Sequence, residues 1–235
     1  MGWGVEQHET FADILERKTS VRVLNAGISS YATVRELKIL SRTDRSRLRS
    51  VVLQYCDNDL QENQAFCTNG NVLAISSQAR YEQICRIAEK KYYFGRYVVK
   101  LIQGAFVWPV RHIAMAFQEA PAADLIDQHA KYCLYALAHA PVDLKGVDVI
   151  LVNLAGPTAV VNGEHVNVAT AMLKQIRDGA LPPALAANVK VLDLQDILTP
   201  DMWLPLAGHL NLKGNEVVAD AIIRLMGPDY WKTLK

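Results

Sequence analysis

The sequence predicts an α/β fold, a parallel sheet covered by helices. Short β-branched apolar runs alternate with longer stretches of helical periodicity, as successive strand–helix–strand units require. The runs are apolar almost throughout, which marks strands buried on both faces. The chain has 235 residues, 51% hydrophobic and 21% charged. That composition fits a full-sized core in one domain, expected to span residues 1–235.

The expected strands are Val21 to Asn25, Val51 to Tyr55, Val147 to Asn153 and Val189 to Leu192. Between them, Thr10 to Arg17 places Phe11, Ile14 and Leu15 on one helical face, and Tyr31 to Leu40 does the same with Val34, Leu37 and Leu40. A helix from Val166 to Ile176 is expected after an Asn162–Gly163 turn. The last helix, Asn215 to Leu225, carries Val217, Val218, Ala221, Ile222 and Leu225 at core spacing. Residues 64–140 depart from this rhythm, with the basic, aromatic "KKYYFGRYVVKLI" followed by the amphipathic "VRHIAMAF" and "DQHAKYCLYALAHA". They are expected to form helices inserted as a cap beside the sheet. An amphipathic face there would suit a membrane surface or a partner, or simply solvent.

A formal net charge of +1, with Lys and Arg scattered, argues against a nucleic-acid partner. Cys56, Cys67, Cys85 and Cys133 have no CxxC spacing and no paired histidines, so they are expected as reduced, mostly buried thiols and not as metal ligands or disulfides. The longest apolar stretch, "VDVILVNLAGPTAVV", is interrupted by Asn153, Gly156 and Pro157 and is too short for a membrane span. "MGWGVEQHETF" lacks the basic-then-apolar order of a signal peptide.

Ligands of an open parallel sheet gather outside the carboxyl ends of its strands. Three residues there have suitable chemistry. Gly27, in "NAGISS", lets the backbone approach closely and can aim its N–H into a crevice. Asn58, in "VVLQYCDNDLQEN", offers a neutral amide donor of the kind that stabilises an oxyanion. His209, in "AGHLNLKGNEVVADAI", stands just before the last helix. Each also has a structural role open to it: a tight turn for Gly27, a cap or turn for Asn58, a surface histidine for His209. Together they suggest acyl transfer.

"VRVLNAGISSYATVREL", "VVLQYCDNDLQEN" and "GHLNLKGNEVVADAI" resemble the second, third and fifth conserved blocks of the SGNH hydrolases, the GDSL esterase and lipase family. The resemblance implies a flavodoxin-like three-layer fold, with Gly27 and Asn58 in the oxyanion hole and His209 as catalytic base. It implies no metal or organic cofactor. The implied substrate is a small-molecule or carbohydrate acyl ester, or a lipid ester, with O-acetyl transfer to a polysaccharide as an alternative. By the same resemblance Asp59 holds the Asn58 loop through hydrogen bonds.

The departures matter as much. Cys56 replaces the glycine of the family's GxND sequence, and Leu206 and Ala207 stand where an aspartate normally orients the histidine, leaving a backbone carbonyl or Asp201 as substitutes. The block with the nucleophilic GDS serine is absent, and "MGWGVEQHETF" resembles the stretch just downstream of that serine in family members. Met1 is therefore expected to be an internal methionine of a longer protein. The missing strand would lie centrally in the sheet, so this chain alone should be poorly stable, aggregate, or close the gap by pairing strands that normally do not touch. Ser29 and Ser30 are expected as turn or capping residues, not as replacement nucleophiles. A non-catalytic SGNH-like binding module is the rival, and a nucleotide binder is disfavoured because no GxGxxG or Walker loop follows a strand. The residues choose no compartment: soluble as given, the protein would be secreted or in the cell envelope had an upstream signal been removed.

Overall fold

The computed structural model describes residues 4–28, 30–90, 98, 123–161, 163–204 and 208–234. The chain divides into two compact units, one of residues 1–73 and 121–235, the other of residues 74–120.

The strands of the first unit are β1 (Ser50–Tyr55), β2 (Asp148–Asn153), β3 (Thr158–Val161), β4 (Glu164–Asn167) and β5 (Val189–Asp193). Its helices are α1 (Phe11–Thr19), α2 (Thr33–Leu40), α3 (Asp59–Thr68), α5 (Ala123–Ala138), α6 (Val168–Arg177), α7 (Pro183–Ala186), α8 (Leu212–Met226) and α9 (Pro228–Thr233); α4 (Gln78–Lys90) belongs to the second unit.

β1, β2 and β5 form a parallel sheet in the order β1–β2–β5. Side chains of a strand alternate between faces, and here both faces are covered. Val149 and Leu151 point into a core with Leu37, Ile126, Leu134 and Met172 from α2, α5 and α6. Ile150 and Val152 point the other way, to Ile14, Leu15, Val218 and Ile222 from α1 and α8. The result is a three-layer α/β unit with β2 buried at its centre.

Three sequence expectations change on folding. Val21 to Asn25 is not a strand. Leu24 is 75% exposed, and the Val23 N–H donates to the Glu16 carboxylate (2.7 Å) in place of a ladder. Apolar content alone does not make a strand, whose backbone groups must also pair with a neighbour. The segment before α6 is not helical: β3 and β4 form an antiparallel hairpin through Gly163 (φ +84°). The helix begins only at Val168, where the Asn167 side chain accepts from the Thr170 N–H (2.9 Å). Of the thiols, only Cys133 is fully buried; Cys56, Cys67 and Cys85 are half-buried, and all four are unbridged.

The inserted region also divides. "DQHAKYCLYALAHA" lies largely in α5, which buries Ile126, Ala130, Cys133, Leu134 and Leu137 in the core of the first unit. In the second unit α4 exposes Tyr81, Ile84 and Ile87. The stretch "VRHIAMAF" and nearly all of "KKYYFGRYVVKLI" lie outside the described residues. Among the described residues no helix is long and apolar enough to cross a membrane.

Candidate functional site

β1 ends at Tyr55 and the chain turns through Cys56, Asp57 and Asn58 into α3, closed by the Asp59 N–H donating to the Cys56 carbonyl (3.1 Å). Asn58 takes the N-cap position, yet its side chain makes no capping hydrogen bond, and the residue is exposed. The cap role open to it from sequence is therefore not the one its amide performs.

Asp59 ties this turn from beneath. It is 3% exposed, and its Oδ2 accepts from the Cys56 N–H (3.4 Å) and the Thr33 hydroxyl (3.5 Å). Around it Thr33, Asn63, Tyr55, His129 and Cys133 are all buried, with Asn63 Oδ1 accepting from the Val34 N–H (3.2 Å) and the Tyr55 hydroxyl paired with His129 Nδ1 (2.8 Å). Burial pushes the Asp59 carboxyl up to about 7. The N-terminus of α3 favours the charged form by only about 0.3–1 kcal/mol, whereas each pKa unit corresponds to about 1.4 kcal/mol, so desolvation prevails. Burial, and then the charge of Asp59, push Glu36 up to about 8. Burial also raises the Cys56 thiol to about 11, which keeps it protonated, and lowers the His129 imidazole. A protonated thiol is a poor nucleophile.

His209 sits where an antiparallel bridge pairs Trp203 with Leu210, and the Leu204 N–H donates to its carbonyl (2.7 Å). Gly208 before it has φ +62°. Asn211 caps α8 by accepting from the Gly214 N–H (3.1 Å) and donates to the Asp201 carbonyl (2.7 Å). Gly214 is required for this approach, because a Cβ there would lie 2.5 Å from the Met202 carbonyl oxygen. The Asp201 carboxylate is engaged by Lys213 and Thr199, and the Lys213 ammonium, first of these, holds it below the usual range. Leu206 and Ala207 lie outside the described residues.

A cavity of about 70 Å³ opens beside His209, lined also by Thr10, Asn25, Gln54, Trp203 and Asn215. Gln54 is one residue from the end of β1, so the cavity lies at a carboxyl end of the sheet. Asn215 supports it from below, accepting from the Phe11 N–H (2.9 Å) and donating to the Asn211 carbonyl (2.9 Å), which fastens α1 to α8. Gly27 and Asn58 are not among the lining residues. The Gly27 N–H instead donates to Asn25 Oδ1 (3.2 Å) in an exposed segment. Ser30 occupies a turn with φ +63°, and the cap position of α2 is Ala32; Ser29 lies outside the described residues.

Thr10, Asn25, Gln54 and Asn215 were not singled out by sequence. Gln54 did carry a signal, as the one polar residue inside the apolar run of β1. No protein-family profile matches the chain, and neither a curated protein nor a solved structure does.

Proposed function

We propose that the chain is the larger part of a flavodoxin-like SGNH ester hydrolase whose serine arrives on a further strand along the outer edge of β1. The observation that carries this reading is that edge. Among the described residues no strand pairs with it, although Val51, Leu53 and Tyr55 make one face of β1 apolar and Val52 adds to the other. Unpaired, apolar edges are what folded proteins normally avoid. Val5 lies on the His209 cavity beside Gln54, so a strand leading into Val5 would end beside the carboxyl end of β1.

In this reading the serine hydroxyl attacks the acyl carbonyl carbon while His209 takes its proton. The Asn58 amide and the Gly27 N–H donate to the tetrahedral oxyanion, once a seated strand brings the Val21–Ile28 segment inward and turns that N–H from Asn25. His209 returns the proton to the leaving alkoxide. Water then attacks the acyl-serine ester, loses its proton to His209, and the proton returns to serine. The chain's own residues supply the base and two donors.

The test is to translate the reading frame upstream of the Met1 codon, express the extended protein and assay p-nitrophenyl acetate hydrolysis with a fluorophosphonate label. The expected result is a labelled serine on the added strand. Turnover falls on the order of 10⁴-fold or more in His209→Ala and about 10²–10³-fold in Asn58→Ala without unfolding. Unchanged turnover in Asn58→Ala removes it from the oxyanion hole. A second reading, a binding module without catalysis, is favoured by the cavity of about 70 Å³, well under the roughly 300 Å³ at which small-molecule sites begin. A stop codon close upstream with no apolar strand would select it.

A further inference from the structure

We propose that the second unit binds the surface of an anionic lipid bilayer through α4, seating Tyr81, Ile84 and Ile87 among the lipids while the unit's excess positive charge supplies the attraction. The esterase reading plays no part in it.

The first support is what α4 exposes. Residues three apart lie along one stripe of a helix, and Tyr81, Ile84 and Ile87 are 61%, 47% and 47% exposed. Glu82, Gln83, Arg86 and Glu89 take the opposite side and are exposed as well, so neither side of α4 is packed into a core. Ile75 and Val98 are exposed too, and no apolar side chain is buried among the described residues of this unit. A single exposed apolar residue is ordinary; a stripe with polar residues along its far side marks an interaction surface. At 13 residues α4 is about 20 Å long, too short for the roughly 30 Å of a bilayer core. It suits the plane of the interface instead.

The second support is charge. Residues 74–120 hold seven of the 25 Lys and Arg and only three of the 24 Asp and Glu, so this unit carries +4 and the rest of the chain −3. Arg80 and Arg86 are matched in number by Glu82 and Glu89, and Arg86 pairs with Glu82 (3.8 Å). The excess therefore begins at Lys90, the last residue of α4, and continues in sequence with Lys91, Arg96 and Lys100. Each Lys or Arg near an anionic membrane adds about fivefold to affinity.

The third support is composition. The same fifth of the chain contains eight of its 18 aromatic residues, interleaved with those cations in "KKYYFGRYVVKLI". Aromatic rings and basic side chains together suit the headgroup level of a bilayer. A nucleic acid would meet the charge and leave the apolar stripe in water; an anionic bilayer takes both.

The experiment is flotation of the full chain with lipid vesicles in a density gradient, where aggregated protein sinks and bound protein rises. The vesicles are phosphatidylcholine alone, or phosphatidylcholine with about a third phosphatidylglycerol. We expect binding about tenfold or more tighter to the anionic vesicles, with most of that preference lost at about 1 M salt, where the Debye length is about 3 Å. Combining Tyr81→Ser, Ile84→Ser and Ile87→Ser should weaken binding about tenfold or more, with the circular dichroism spectrum unchanged because all three residues are exposed. An independent variant, Arg80→Gln with Arg86→Gln, should lower affinity for the anionic vesicles about tenfold and leave phosphatidylcholine unaffected. Leu24→Ser, at an exposed apolar residue of the first unit, should float like the parent. Equal binding to both vesicles, binding unchanged in both α4 variants, or a loss in Leu24→Ser as large as in the triple variant overturns the proposal. Protein that floats with neither vesicle also overturns it and leaves α4 to a protein partner.

Discussion

The two sides of the sheet differ in kind. On the β5 side, β2 and β5 pair in register from Val149 opposite Val189 to Asn153 opposite Asp193, and the ends are tied by Asn153 and Asn167 donating to the Asp193 carboxylate. On the β1 side, the outer edge carries apolar residues but no neighbour among the described residues, and the adjacent segment leaves Leu24 and Ile28 exposed. The chain has spent its hydrophobic residues similarly on both sides. What separates them is whether the backbone edge has something to pair with.

Substitution in the closed half should show this most strongly. Ile150, fully buried between α1 and α8, loses its packing in Ile150→Ala. We expect about 2–5 kcal/mol of destabilisation, measured as a lower urea midpoint at unchanged slope. A loss below about 1 kcal/mol would mean that the core relaxes around the missing methylenes and that the closed half is not close-packed.

The Trp203–Leu210 bridge before α8 borders the cavity, and there a smaller cost is expected. Gly214→Ala drives a methyl against the Met202 carbonyl and Leu210, 2.5 Å and 2.8 Å from the new Cβ. The backbone must shift, at roughly 1–3 kcal/mol. Because the Asn211 cap and the Trp203–Leu210 bridge flank His209, the extended protein should also lose activity beyond what its residual folded fraction explains. A variant as stable as the parent would mean that the helix start is not held against the Pro200–Met202 turn.

How much of this could be read in the sequence depended on whether a feature was local. β1, β2 and β5 were visible because a continuous apolar run remains apolar whatever surrounds it. Val21 to Asn25 reads as a strand and is not one, because strand formation depends on a neighbour that no single segment reveals. The β3–β4 hairpin escaped because "TAVVNGEHV" is short and its second strand is mostly polar. At the site, His209 was legible from its flanking motif. Asn25 and Asn215 were not, since a polar residue becomes notable only when folding brings it to a cavity wall. Asp59 was harder still: an acid at the first position of a helix is ordinary in sequence, and only burial against Thr33 and Glu36 changes its chemistry.

The least costly substitution tests the open side most directly. Leu24 is 75% exposed, so Leu24→Ser removes little buried surface from this chain. Its effect should fall within about 0.5 kcal/mol, as for other surface changes. In the extended protein, a strand seated along β1 would offer the Val21–Ile28 segment an edge to join and draw Leu24 toward the sheet. The same substitution should then cost about 1.5–3 kcal/mol, the value of burying a leucine. Paired urea titrations of the two lengths, each with and without the substitution, measure the difference as a double-mutant cycle does. A coupling near zero would show that the added strand leaves Leu24 in solvent and that the open edge is filled in some other way.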